Sequence, residues 1–390
     1  MPYCQVSDGD NPTRIFYQTY GHGPTKVLLL IGLAATHEGW KPQIKGLTGS
    51  DLANDDDDNT GLMVDNEGGY IDNGVQVCGL DNRGMGRSSV PVQKSQYSTT
   101  IMAKDAIAVM DQLGWKKAHI FGHSMGGMIA FKLAALVPHR VLSLAVLNVT
   151  GGGYQILPKP CRLTVSVMVR FFLAKTPEDR AAVDLDTHYS QDYLDDCVGE
   201  STRRAVLYQE YVQAISNTGM QSNHGLEGQL SACWNHKMTQ AELERIRSAG
   251  FLISVIHGRQ DIIAQISHAK RLALKLVPCA KLVDFEAGHL VTHERTDEVN
   301  EELLNLIKAS ESRISPREWT NLSDRTSSEW IGPRMLALTK SATRSTESSF
   351  EQINRVLVYF FGAFLVVLEY VRRLVARFKP VKVASSITAA

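Results

Sequence analysis

One segment constrains this chain more than any other: AHIFGHSMGGMIAFKLAALV, residues 118–137. A short apolar, β-branched run leads into a serine with glycines two residues either side, Gly122 and Gly126, and a helical pattern begins at once from Met125. Such a passage from strand to helix leaves almost no room for a loop, so the serine must sit on a sharp, strained turn at the end of a buried strand. A turn of that kind needs neighbouring strands to bury its own. They recur at Val27 to Ile31, Val75 to Leu80, Leu142 to Val149, Phe251 to His257 and Lys281 to Phe285. Between them, Ile101 to Leu113, Met125 to Val137, Ser267 to Leu276 and Asp297 to Ile307 carry apolar residues at steps of three and four, the spacing of a helix face. Strands alternating with helices predict an α/β fold, a mostly parallel sheet flanked by helices.

The rhythm breaks between residues 151 and 250, where helical patterns such as Arg162 to Leu173 and Thr202 to Ile215 run without a convincing strand. That stretch reads as an inserted helical cap. The expected organisation is a catalytic domain over 1–312 containing this cap and an acidic loop insertion at 50–74. A Ser/Thr-rich linker over 313–349 and an apolar and basic helix over 350–390 follow. At 390 residues with 44% hydrophobic residues, the chain has ample material for one large core.

Lysine plus arginine equals aspartate plus glutamate, 41 each, so no global field draws the chain to nucleic acid, and none is expected as a partner. The balance hides two local biases: eight acidic and no basic residues from Asp51 to Asp72, and nine basic against three acidic residues from Arg334 onward. The six cysteines form no CxxC pair, which suits reduced thiols in a reducing compartment. The first residues lack a basic start followed by an apolar run, so a cytoplasmic location is expected.

A serine hydroxyl attacks only when a base takes its proton and a third group orients that base. Ser124 is the candidate nucleophile. After a nucleophile turn of this type the acid and then the histidine follow along the chain. Asp261, in HGRQD just past the strand FLISVIH, is the candidate acid; the preceding strand end, LNVTGGG, offers Asn148 and Thr150 but no carboxylate. His289, in the glycine-flanked EAGHL after KLVDF, is the candidate base. Its neighbour His293 stands where the next helix begins and reads as a surface or capping residue, and His123 as packing. The negative charge formed during acyl transfer needs two preorganised donors. The amide of Met125, directly after Ser124, and that of Leu33, after the strand LLLIG, are the candidates for this oxyanion hole.

Two other segments have spacing that invites a ligand. DNRGMGRSS, 81–89, lacks the third glycine, helix and lysine of a nucleotide loop and reads as a structural turn. Asp56, Asp58, Thr60, Gly61 and Glu67 approach a calcium-loop spacing, but Thr60 departs from it and flanking helices are missing. No cysteine and histidine cluster has zinc spacing, and the serine, acid and histidine require no cofactor or metal.

GHSMGG, DNRGMGRSS, HGRQD and AGHLVTHE occur together in the order of the α/β-hydrolase superfamily, which this chain resembles from about Arg14 to Ser310. Within it the chain is similar to cofactor-free esterases, enol-lactone hydrolases and aminoacrylate hydrolase-like proteins. The resemblance implies Ser124, Asp261 and His289 as catalytic triad and Leu33 and Met125 as oxyanion donors. Ile31 departs from the histidine many relatives carry before the oxyanion glycine, and Gln265 from the proline that often follows the acid; neither removes a reacting group. Dehalogenase and epoxide hydrolase relatives place an aspartate at the elbow, so Ser124 implies an acyl-enzyme route. The expected activity is hydrolysis of a carboxylic ester, lactone or related acyl bond of a small molecule. A capped ligand receptor with little turnover and an acyltransferase are the alternatives.

The helix Arg162 to Leu173, with VSVMVRFFL, is expected to line or cover an apolar acyl pocket. Near the carboxyl end, Ile353, Leu357, Phe360, Phe364, Val367, Val371, Leu374 and Phe378 recur on one helix face, with Arg372, Arg373, Arg377, Lys379 and Lys382 beside it. That pattern predicts a shallow or partly inserted helix on a membrane surface, with a full span, or packing on the catalytic domain or another chain, as the alternatives.

Overall fold

In a computed structural model, residues 2–6, 12–54, 74–158 and 162–323 are described. The acidic segment with its calcium-like spacing and the carboxyl-terminal helix therefore lie outside the described residues. Among those described, no helix is long and apolar enough to cross a membrane, and no cluster of histidine, cysteine or acidic side chains could hold a metal ion.

In chain order the strands are β1 Tyr3–Val6, β2 Thr13–Tyr20, β3 Thr25–Leu30, β4 Val75–Leu80, β5 Ala118–His123, β6 Val141–Leu147, β7 Cys197–Val198, β8 Ser201–Thr202, β9 Leu252–Gly258 and β10 Ala280–Phe285. The helices are α1 Lys41–Thr48, α2 Thr99–Gln112, α3 Met125–Leu136, α4 Arg162–Leu173, α5 Pro177–His188, α6 Gln191–Asp195, α7 Arg203–Thr218, α8 Asn223–Asn235, α9 Gln240–Ala249, α10 Ile266–Lys275, α11 Val291–Glu294, α12 Thr296–Glu311 and α13 Pro316–Trp319.

Eight strands form one sheet in the order β1-β2-β4-β3-β5-β6-β9-β10, parallel from β4 to β10, with β1 and β2 antiparallel at one edge. Side chains alternate across a strand, so a strand covered on both faces must be apolar at every position. That is why β3 reads as a continuous run. Leu28 and Leu30 enter the core beneath α2, α3 and α10, whereas Val27, Leu29 and Ile31 enter the core beneath α1 and α12. Ile120 and Phe121 of β5 divide in the same way, and each such leucine or isoleucine contributes roughly 1.5–3 kcal/mol by burial.

Helix starts follow local chemistry. In α5, α6, α7, α8 and α9 the residue before the helix is Thr176, Ser190, Thr202, Ser222 and Thr239, and each side chain accepts from an amide of the first turn. The inserted stretch is helical as the pattern predicts, apart from the two-residue pair β7–β8. Its last helix, α9, packs on α3 and sends Leu243 and Ile246 into the main core. At the other end, residues 316–322, inside the stretch expected as a linker, hydrogen-bond to the sheet. The Trp319 indole donates to the Ile253 carbonyl at 2.9 Å, and Asn321 both accepts from the Leu282 amide at 2.9 Å and donates to its carbonyl at 2.7 Å. The two Asn321 bonds satisfy backbone groups on the open side of β10, which would otherwise be an exposed edge there.

The sheet order reverses between β3 and β5. Such a switch point opens a crevice beyond the carboxyl ends of the two strands. Leu30 pairs with Gly122, so the chain leaving β3 and the chain leaving β5 emerge side by side.

Candidate active site

Ser124 stands at the exit of β5 with φ 53° and ψ −120°, a conformation that L residues rarely adopt, and α3 starts at the next residue. Two glycines make this turn sterically allowed. A Cβ on Gly122 would lie 2.4 Å from the Gly126 carbonyl oxygen, and one on Gly126 would lie 2.0 Å from that of Leu30. The Ser124 amide donates to the Leu147 carbonyl at 2.8 Å, and its carbonyl accepts from the Gly127 amide at 2.9 Å. The backbone is thus clamped on both sides of a strained residue whose side chain stays half-buried, with its hydroxyl making no hydrogen bond among the described residues.

Asp261 follows β9, and its carboxylate is completely enclosed. One oxygen accepts the amides of Ile263 and Ala264, both at 2.8 Å; the other meets His289 Nδ1 and Asn148 Nδ2, both at 2.7 Å. Burial alone would raise this carboxyl, but His289 and the donated hydrogen bonds outweigh it and hold Asp261 below the usual carboxylate range. His289, buried in the loop after β10, uses Nδ1 on Asp261 and has no described partner at Nε2.

The loop carrying His289 is tied down from several directions. His123 donates from Nε2 to the His289 carbonyl at 2.8 Å, and the two rings meet edge to face with centroids 4.9 Å apart. Burial and the nearby His289 depress His123 to about 3, so the ring is neutral and its tautomer is set by that one carbonyl. Glu294 accepts the amides of Gly288 and Ser190, both at 2.8 Å, and the Leu290 amide donates to the His188 carbonyl at 2.8 Å. The loop carrying His289 is therefore stitched to the cap at Ser190 and His188.

His293 corrects the sequence reading. It is neither a surface residue nor a cap: Nδ1 meets the Tyr189 hydroxyl at 3.0 Å and Nε2 meets the Gly39 carbonyl at 3.0 Å. With both ring nitrogens engaged and burial depressing its basicity, it links Tyr189 of the cap to the turn at Gly39 that follows β3. His123 likewise does more than pack. Asn148, noticed in the sequence only as a position without a carboxylate, bonds both Asp261 and, at 3.2 Å, the Gly288 carbonyl. Its φ of 48° is a backbone signal that asparagine tolerates and most residues do not.

The other expected residues fall around Ser124. Met125 is the buried first residue of α3, where helix amides have no partner within the helix. Gly32 packs so closely that a Cβ there would lie 3.3 Å from Ser124 Cβ, which brings the half-buried Leu33 to the same place. DNRGMGRSS is the structural turn expected. Asp81 accepts the His37 amide at 2.9 Å and the Arg87 amide at 3.0 Å, while the buried Arg83 grips both oxygens of Asp105 at 2.7 Å. The cap helix α4 partly departs from expectation: Val167 is buried and Phe171 half-buried beneath the Arg180 guanidinium, but Phe172 points outward, 49% exposed.

The strained serine turn and the buried histidine–aspartate pair both lie within residues 26–296, which the alpha/beta hydrolase fold family model matches. The chain belongs to the α/β-hydrolase fold family. Among proteins similar to this member is one provisionally named carbamate hydrolase RutD, from Azorhizobium caulinodans, 31% identical over 46% of this chain and 54% of its own length. Epoxide hydrolase 4 of Mus musculus is 26% identical over 45% of this chain and 44% of its own. The chain thus spans about half the length of the curated relatives it matches. The enol-lactonase of Burkholderia xenovorans LB400 has the same fold, with a TM-score of 0.57 at 20% identity over 76% of this chain and 97% of that one. An esterase from Exiguobacterium antarcticum has a TM-score of 0.55 at 19% identity, over 78% and 98%.

Proposed function

We propose that this α/β-hydrolase is a serine hydrolase that cleaves a carboxylic ester, lactone or related acyl bond of a small molecule through an acyl-enzyme. The observation that carries this reading is the pairing of His289 Nδ1 with Asp261 Oδ2 at 2.7 Å, in a loop whose carbonyl is held by His123, the residue next to Ser124. Nδ1 is committed to the carboxylate, so Nε2 is the nitrogen left to act as base.

Ser124 Oγ attacks the substrate carbonyl carbon while His289 Nε2 takes the hydroxyl proton. The carbonyl oxygen becomes an oxyanion, stabilised by the amides of Leu33 and Met125 and by the amino-terminal end of α3. Collapse breaks the bond to the leaving alkoxide or amine, which takes the proton from His289. Water then attacks the acyl-enzyme, again giving its proton to His289, which passes it to Ser124 Oγ as the acyl–oxygen bond breaks and the carboxylic acid leaves. The serine–histidine hydrogen bond of such sites is commonly long until substrate arrives. No cofactor takes part in these steps.

The similarity to proteins named carbamate hydrolase, enol-lactonase and esterase supports an acyl bond as the target. Ser124, where an aspartate would be needed for attack on an epoxide, supports the acyl-enzyme route over that of Epoxide hydrolase 4. The test is a fluorophosphonate probe on the full-length protein, followed by turnover of a panel of acyl esters, lactones, a carbamate and an amide. Labelling confined to Ser124, with activity absent in Ser124→Ala, is expected. Equal labelling of both proteins would sink the assignment.

A further inference from the structure

The oxyanion loop is held by a residue of the cap. Leu33 sits between two peptide groups that other parts of the chain fix. On one side, the Ile31 carbonyl accepts from Asn82 Nδ2 at 2.9 Å, which sets the peptide entering Gly32. On the other, the Ala34 amide donates to Gln229 Oε1 at 3.0 Å, which sets the peptide leaving Leu33. Ala34 has φ 59°, left-handed for a residue with a Cβ, so a specific partner must offset the strain of that conformation.

Gln229 is itself immovable. It is fully buried, its Nε2 donates to the Arg83 carbonyl at 2.9 Å, and its Oε1 accepts a second hydrogen bond from Gln221 Nε2 at 3.0 Å. Gln221 also donates to the Gly84 carbonyl at 2.9 Å. Arg83 in turn is locked by its paired bonds to Asp105. The turn 82–84 thus governs both flanks of Leu33, through Asn82 directly and through the Arg83 carbonyl by way of Gln229. Gln229 belongs to α8 of the inserted stretch, and α8 reaches the turn closely enough that a Cβ on Gly225 would lie 2.1 Å from the Gly84 carbonyl oxygen.

We propose that Gln229 is a positioning residue that couples seating of α8 to assembly of the oxyanion hole, by fixing the Leu33–Ala34 peptide beside Ser124. The inference rests on the serine hydrolase reading. A donor amide is effective only at hydrogen-bond distance from the developing oxyanion, and losing one such donor lowers kcat by about 100- to 1000-fold. Releasing the Ala34 amide misplaces the Leu33 donor without removing it, so the loss should be smaller.

The test measures kcat and KM on p-nitrophenyl acetate for wild type, Gln229→Met, Gln229→Glu and Gln221→Met. Gln229→Met keeps length and burial but removes all three of its hydrogen bonds, to Ala34, Gln221 and Arg83. It should lower kcat by about 10- to 100-fold with KM changed less than about threefold, since the ground-state ester does not need the hole. Gln229→Glu retains the acceptor for Ala34 and should recover part of that loss, a rescue that a purely structural role would not give because its carboxylate faces the Arg83 carbonyl. Gln221→Met, at a half-buried site, should lower kcat in the same direction by a few-fold and keeps the test open if Gln229→Met is not recovered folded. If wild type labels at Ser124 and turns over, yet these variants keep kcat or lose it only in step with KM, the proposal is overturned while the hydrolase reading stands. If wild type neither labels nor turns over, both fall.

Discussion

Asn148 donates through Nδ2 to Asp261 Oδ2 at 2.7 Å, the oxygen that also meets His289 Nδ1. Two donors on one carboxylate oxygen fix its direction, and a hydrogen bond to a charged group is worth about 1.5–3 kcal/mol. Because Asn148 is left-handed, Asn148→Ala would mix loss of the amide with backbone strain. Asn148→Gly removes the amide alone. Its kcat on an acyl ester should fall by about 3- to 30-fold, with the acid limb of the rate profile moved to higher pH because one bond holding Asp261 low is gone. An unchanged kcat and pH profile would confine Asn148 to holding the Gly288 carbonyl.

His289 and His293 lie four residues apart and should separate cleanly by readout. His289→Ala should lose at least about 1000-fold in kcat, since the base is gone, while stability changes little. His293→Ala breaks two hydrogen bonds, one to the Tyr189 hydroxyl of the cap and one to the Gly39 carbonyl in the turn after β3. At about 1 kcal/mol each it should lower the melting temperature by several degrees while retaining far more activity. The reverse ranking of activities would transfer the base role to His293.

The parts of this molecule readable from sequence are those whose cause is local. The alternation of apolar runs located β3, β5, β6 and β9 and the helices between them, and GHSMGG demanded its own turn, because glycines and a serine at that spacing do the steric work within five residues. Asp261 and His289 follow strand ends, so their pairing is of the kind that order along the chain can suggest. Asn148, His123, Glu294 and Gln229 were not legible as supports, since each acts on a residue made adjacent only by folding: Gln229 lies 195 positions from Ala34, and His123 lies 166 from His289. His293 misled for a related reason, because a histidine before a charged helix start looks solvated until Tyr189 and Gly39 arrive from elsewhere. The edge strands β1 and β2 were missed because they are antiparallel, and Arg14, Gln18 and Thr19 break the apolar run.

The two phenylalanines ending α4 should now behave differently. Phe171 is half-buried beneath Arg180 and Phe172 is 49% exposed. Phe171→Ala should cost about 1–3 kcal/mol of stability or alter acyl chain-length preference, and Phe172→Ala should change stability by less than about 0.5 kcal/mol. Melting curves and rates on acetyl through octanoyl esters distinguish them. Equal effects would mean that Phe172 is covered in the working protein.

Stability should fall early on acidification, because several histidines are buried without charge. Burial depresses His119 to about 4 and His123 and His236 to about 3, and it lowers His188, His257 and His293 as well. The sign follows from proton counting. Above the unfolded value of about 6.5 neither state binds the proton and these groups add no pH dependence. Below it the unfolded chain takes up protons that the folded chain refuses, so stability drops by up to about 1.4 kcal/mol per pH unit for each histidine until the folded value is reached. Asp261 and Asp284, held low in the fold, add a further loss below about pH 4, and Asp184, raised by burial, works weakly against it. Urea midpoints from pH 8 to 4.5 should therefore be flat down to about 7 and then decline steeply. His236→Gln, which can keep the contact to Thr99 now made at 2.9 Å, should flatten that decline by up to one proton's worth of slope. A midpoint that stays level to pH 5 would show that these imidazoles are solvated or charged in the folded protein, contrary to their enclosure.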